Sequence, residues 1–178
     1  MPLFMWGLIS VIIIQRLVEL NIAKKNEKWM KERGGIERGQ SHYKWFIILH
    51  VLFFISLLLE SMMRDVTHVT LNYFLFAVFI LTQLIRIWCI RTLGKFWNTK
   101  IIISPNFSLV SEGPYKFVKH PNYIIVGIEL IVIPLLFGAY ITAVVFPILH
   151  VLLLTIRIPS EEKALAEVKF SRERNENH

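Results

Sequence analysis

Two stretches of the chain carry residue types that could do chemistry. The first runs from Phe107 to Tyr123 and reads Phe-Ser-Leu-Val-Ser-Glu-Gly-Pro-Tyr-Lys-Phe-Val-Lys-His-Pro-Asn-Tyr. It combines a Gly113-Pro114 turn, the aromatics Tyr115 and Tyr123, and a His120-Pro121 step. Pro121 suits the first turn of a helix, because proline lacks only an N–H that would be unpaired there anyway. The residue before a proline is pushed away from helical backbone, so His120 is predicted to be extended. Free N–H groups at that helix start could receive an anionic group. The second stretch is Arg157-Ile-Pro-Ser-Glu161-Glu162. In an unbroken helix Arg157 and Glu161, four residues apart, share a face. Pro159 could instead end that helix, with Ser160 capping the next. Each stretch also has a plain structural reading, as an interfacial aromatic loop and an interfacial arginine followed by acidic residues.

These stretches sit in an apolar chain. Hydrophobic residues make up 54% of its 178 positions, above the roughly 45–50% of soluble domains. They cluster into runs long enough to cross a bilayer's hydrocarbon core of about 30 Å. Five spans are predicted, the last two of them short: Leu3 to Ala23, Trp45 to Met63, Val69 to Ile90, Pro121 to Phe137, and Ile141 to Ile158. The last two contain Pro134 and Pro147 and are joined by a tight Gly138-Ala139-Tyr140 connection. Spans in lipid must satisfy their own backbone, and period-2 alternation is absent, so all five are helices. The first holds Arg16 and Glu19, one turn apart and able to pair; the second holds His50; the third holds Gln83 and Arg86.

Lys and Arg concentrate in three segments: Lys24 to Lys44, Arg91 to His120, and the tail after Ile158. Five spans with the N-terminus outside put all three in the cytosol. The first run lacks a basic n-region and a cleavage site, so it reads as a retained helix. The net charge of +7 thus belongs to juxtamembrane loops, and no basic-aromatic stripe suggests nucleic acid. The expected fold is an all-α integral membrane protein, one membrane domain over 1–178, with three helices in 1–90 and the chemistry-bearing loop, hairpin and tail in 91–178. A separate helix is expected from Glu161 to Phe170, with a frayed end from Ser171 to His178. The single cysteine, Cys89, gives neither a disulfide nor a metal motif. With no HExxH and no paired cysteine ligands, no metal site is expected. The glycine-rich loop of soluble nucleotide-binding folds is absent as well.

Taken together, G-x-Y-x-x-x-[RK]-H-P-x-Y, a helical hairpin and R-x-x-x-E-E resemble the isoprenylcysteine carboxyl methyltransferases over about Lys100 to Leu165. Phospholipid N-methyltransferases share similar elements. The resemblance implies S-adenosylmethionine as donor, bound on the cytosolic side. Matched by position, Lys100, Phe107, Ser108, Leu109, Val110, Tyr115, His120, Pro121, Asn122 and Tyr123 would line the cofactor pocket. Glu161 would bind the donor's amino group, Arg157 would face the acceptor, and His120 and Glu162 would be candidates for proton transfer. Phe107 stands where the eukaryotic enzymes have histidine, and the F-G-x-x-Y-x-x-Y continuation after Glu-Glu is missing. Small bacterial members resembling this chain are thought to methylate hydroxyls of long-chain lipids such as alkylpyrones. The expected function is O-methylation of a carboxylate or acidic hydroxyl on a lipophilic substrate reached from the bilayer. A phospholipid N-methyltransferase and a non-catalytic membrane scaffold are the alternatives. The sequence assigns no oligomeric state.

Overall fold

The computed structural model describes residues 3–63, 71–104 and 110–176. They form five α-helices and one two-stranded sheet: α1 Leu3–Lys31, β1 Ile36–Arg38, α2 Gln40–Met63, α3 Tyr73–Leu93, β2 Ile101–Ile103, α4 Pro121–Leu136 and α5 Tyr140–Glu176. Short 3₁₀ turns, Gly94–Phe96 and Gly113–Lys116, lead out of α3 and toward α4. Four helices are long and apolar enough to cross a membrane. The remaining one, α4, has 16 residues, or about 24 Å of rise, less than a 30 Å hydrocarbon core. It packs between α3 and α5.

One end of the bundle is closed by an apolar core. Met5, Ile9 and Ile12 of α1 meet Phe53 and Leu57 of α2, Ile133 and Leu136 of α4, and Phe146 of α5 in one cluster. At this end α5 begins under a cap supplied by another helix. The Glu60 carboxylate of α2 accepts the N–H groups of Ile141 and Thr142, each at 2.9 Å. A carboxylate there satisfies orphan donors and suits the helix dipole. The α4–α5 connection is as tight as the sequence predicts, with Gly138 at φ 69°.

At the other end α1 runs two turns past its apolar stretch, because Asn26 is bound to the α3 exit. Its Nδ2 donates to Gly94 O at 3.1 Å and Trp97 O at 2.7 Å. The chain then turns back to pair β1 antiparallel with β2, Ile36 opposite Ile103. Ile101 and Ile103 of β2 pack on Ala164 and Val168 of α5.

That packing corrects an expectation about α5. The helix is not broken at Pro159; it continues through Pro147 and Pro159 to Glu176. The separate helix from Glu161 and the frayed tail to 176 are absorbed into it. A mid-helix proline costs about 3 kcal/mol. Here the chain is held on both sides: Arg157 is anchored before it and Ala164 and Val168 are packed after it. Ser160 caps nothing, and its Oγ donates back to Ile156 O at 2.8 Å.

Candidate active site

Between the apolar plug and the sheet lies a cavity of about 1070 Å³, lined by residues from all five helices and β2. Both chemistry-bearing stretches open onto it. His120 is the N-cap of α4 at φ −127°, ψ 62°, outside the helical region but short of fully extended, and Pro121 opens the helix. The approach to α4 is pinned by Gly113, at φ 54°. A Cβ there would lie 2.7 Å from Thr92 Oγ1 on α3, so the loop's backbone packs directly on that helix. Beyond the turn, Tyr115 buries its hydroxyl near the Cys89 thiol, and burial pushes its pKa up.

Because α5 is continuous, Arg157 and Glu161 share one face, and Tyr123 of α4 bridges them. Tyr123 Oη donates to Glu161 Oε2 at 2.5 Å and accepts from Arg157 Nε at 3.1 Å. Arg157 Nη2 donates to Thr99 O at 2.9 Å. Its Nη1 is buried and has no hydrogen-bond partner among the described residues. A buried guanidinium N–H without a partner is costly, and an acceptor atom of a ligand could satisfy this arm of the fork. Asn122 Oδ1 and His120 Nε2 are enclosed in the same way. The His120 ring stacks on Tyr123, its Nδ1 3.6 Å from Glu161 and its Nε2 3.5 Å from Glu162. Glu162 also lies 3.6 Å from Lys119.

Among the residues the sequence singled out, Val110, Tyr115, His120, Pro121, Asn122, Tyr123, Arg157, Glu161 and Glu162 all border this cavity. Lys100 borders it too, but its ammonium is engaged elsewhere, 2.8 Å from Glu27 and 3.3 Å from Glu37. Hydrogen bonding to Glu27 and then to Glu37 holds its pKa above the usual lysine value. Phe107, Ser108 and Leu109 lie outside the described residues.

Other lining residues carry no motif. Phe46 lies 5.8 Å under the Arg157 guanidinium, and His150 donates Nε2 to Tyr123 O at 3.1 Å. The deep end holds a closed ionic cluster. Arg16 pairs with Glu19 at 2.6 Å and with Glu129 at 2.8 Å. Arg86 bridges the same two carboxylates, and Gln83 Nε2 donates to Glu129 at 2.7 Å. Two cations and two anions cancel, which makes burial tolerable. Of this cluster the sequence suggested only the Arg16–Glu19 pair. Toward the outside, Leu17 and Leu20 of α1 and Ile47, Val51 and Ile55 of α2 border the cavity while remaining exposed. The wall between α1 and α2 therefore reaches the apolar surface of the bundle.

The pocket's chemistry fits the implied donor. A carboxylate suits an ammonium, an unfilled guanidinium arm and enclosed polar atoms await partners, and aromatic rings suit an adenine or a sulfonium.

Two bacterial proteins of the same size align over nearly the whole chain. The uncharacterized protein YpbQ of Bacillus subtilis (strain 168) is 43% identical over 162 residues, 91% of this chain and 96% of its own. An uncharacterized protein of Haemophilus influenzae is 28% identical over 160 residues, 89% of this chain and 93% of its own. No solved structure matches. Residues 73–167, from the start of α3 to Glu167 of α5, match the isoprenylcysteine carboxyl methyltransferase family. With residues 73–167, more than half of an integral membrane chain, matching it, this protein belongs to the isoprenylcysteine carboxyl methyltransferase family.

Proposed function

We propose that this protein is an S-adenosylmethionine-dependent O-methyltransferase acting on a carboxylate or acidic hydroxyl of a lipophilic substrate. The observation that carries the reading is the Arg157 fork. It is buried, anchored by Thr99 and Tyr123, and keeps Nη1 for a ligand's oxygen. An anionic oxygen fits that arm; a neutral amine gains nothing from it, which disfavours phospholipid N-methylation.

The donor supplies a methyl group already activated on a sulfonium. Glu161 would hold its ammonium, with Tyr115, His120, Asn122 and Tyr123 around it and Val110 beside the adenosine. Arg157 would hold the acceptor oxygen, so that positioning supplies most of the rate. The exposed apolar residues that border the cavity on α1 and α2 would keep water out and give a lipid chain a way in from the bilayer. Opposite charges on acceptor and donor disappear as product forms, which a dry site favours.

The same reading gives α4 a place in the membrane as a short fifth span, with the N-terminus outside and the sheet, His120 and Glu161 on the cytosolic side. Two measurements test the function together. Detergent-solubilised protein should bind S-adenosylhomocysteine, and labelled S-adenosylmethionine should transfer its methyl group into an acidic lipid of a membrane extract. Binding without transfer to any lipid would reject the enzyme. Label on an amine headgroup would replace O-methylation by N-methylation.

A further inference from the structure

The cavity continues one helical turn beyond Arg157. There it meets a histidine that the donor side leaves unused. Phe46 lies under the guanidinium, and His50 follows four residues later on α2, on the same face and about 5–6 Å deeper. His50 lines the cavity. Its Nδ1 is 2.7 Å from the Phe46 carbonyl oxygen. A carbonyl only accepts, so Nδ1 carries the proton and Nε2 presents a lone pair. Nε2 is neither enclosed nor hydrogen-bonded among the described residues.

The neighbouring histidines are committed otherwise. His150 uses Nε2 on Tyr123 O, and its Nδ1 is enclosed without access. His120 sits at the mouth between Glu161 and Glu162.

A lipid acid that enters through the apolar wall enters protonated, because an anion is costly to carry through hydrocarbon. The Arg157 arm suits the anion. The proton must therefore be taken up inside the cavity. We propose that His50 is the catalytic base, accepting the acceptor's O–H proton on Nε2. The inference rests on the methyltransferase reading and narrows its acceptor to a weakly acidic lipid hydroxyl or carboxylic acid that arrives neutral.

The step balances. The O–H bond breaks, the N–H bond forms, and the electron pair stays on oxygen. The oxygen then takes the methyl group, and the pair of the broken carbon–sulfur bond stays on the donor's sulfur. The positive charge lost from the donor reappears on the imidazolium, which releases its proton to water once product leaves. The charges that act on His50 are the Arg16 guanidinium of α1 and the Arg86 guanidinium of α3. Their ion pairs with Glu19 of α1 and Glu129 of α4 reduce, without cancelling, what the two cations cost the imidazolium. On α5, His150 is neutral in its tautomer and Arg157 is balanced by the acceptor anion.

The test uses a 4-nitrophenol bearing a long alkyl chain, whose phenolate has its own absorbance band. It is added to detergent-solubilised protein holding S-adenosylhomocysteine, at a pH where the micelle-bound probe stays neutral. Wild-type protein should ionise the bound probe, and His50→Gln should not. His50→Gln should also lower methyl transfer to the probe by about 10²–10⁴-fold while S-adenosylhomocysteine affinity stays within about twofold. Equal ionisation in the variant would overturn the proposal. So would a wild-type protein that binds S-adenosylhomocysteine and the probe but leaves the probe neutral, an outcome that needs no folded variant and spares the methyltransferase reading. Failure of wild type to bind S-adenosylhomocysteine would remove that reading and the base with it.

Discussion

Replacing Glu129 with glutamine removes one of two carboxylates that balance two buried guanidiniums. In the native cluster Glu129 Oε1 accepts from Gln83 Nε2 at 2.7 Å, Arg86 Nε at 3.1 Å and Arg16 Nη2 at 2.8 Å, while Oε2 accepts from Arg86 Nη2. Glu129 is 4% exposed and Arg86 5%. The variant would leave a net positive charge in the bundle and set an amide N–H₂ against guanidinium donors. Removing one partner of a buried pair costs about 3–5 kcal/mol. For a chain of this length that is a fall of about 10 °C in melting temperature. Arg16→Gln in the same protein restores neutrality, leaving Arg86 with Glu19. The double variant should therefore be more stable than the sum of the singles by about 1–3 kcal/mol. Thermal unfolding of the detergent-solubilised proteins measures all four corners of the cycle. Additive losses, or a Glu129→Gln variant as stable as wild type, would refute the claim that charge balance holds α1, α3 and α4 together.

The remaining predictions concern the site and the topology. Arg157→Lys keeps the charge but cannot serve Thr99 O, Tyr123 Oη and a ligand with a planar fork, so methyl transfer should fall at least about tenfold while donor affinity holds; wild-type turnover would make Arg157 a simple anchor. Glu161→Gln should weaken S-adenosylmethionine binding at least about tenfold in titration, since a charge-assisted hydrogen bond contributes roughly 1.5–3 kcal/mol. A C-terminal reporter active only outside the membrane should stay silent; activity would reverse the orientation inferred from the basic loops.

What was legible follows from sequence distance. Arg157 and Glu161 lie within one turn of α5, and His120 to Tyr123 are consecutive, so local helical geometry alone predicts that each set converges. Arg16 and Glu19 are readable for the same reason. Glu129 is invisible in this way, because its partners Arg86 and Arg16 come from helices 43 and 113 positions earlier. The Glu60 cap on α5 and the Asn26 tie to the α3 exit are likewise tertiary. The two-stranded sheet was missed because Ile36-Glu-Arg and Ile101-Ile-Ile are three residues each and show no alternation. Pro159 misled in the opposite sense. Its local signal is a helix stop, and only the packing of Ala164 and Val168 against β2, far away in the chain, overrides it.

The division of the cavity bears on where substrate choice resides. The family match begins at Tyr73 and covers α3, α4 and the part of α5 that holds Arg157 and Glu161. Those elements supply the groups assigned in the proposed function to the donor and the acceptor anion. The wall that meets the apolar surface is built instead from Leu17 and Leu20 of α1 and Ile47, Val51 and Ile55 of α2, outside the match. His50 and Phe46, on the adjoining face of α2, also border the cavity. Donor chemistry demands fixed polar partners, since each buried donor or acceptor left unpaired is costly. A lipid chain demands only apolar area, which many side chains provide equally well. The α1–α2 wall can therefore change with the acceptor's tail while the α4–α5 hairpin stays as it is. On the proposed function, recognition of the lipid would fall to the first two helices and methyl transfer to the last two.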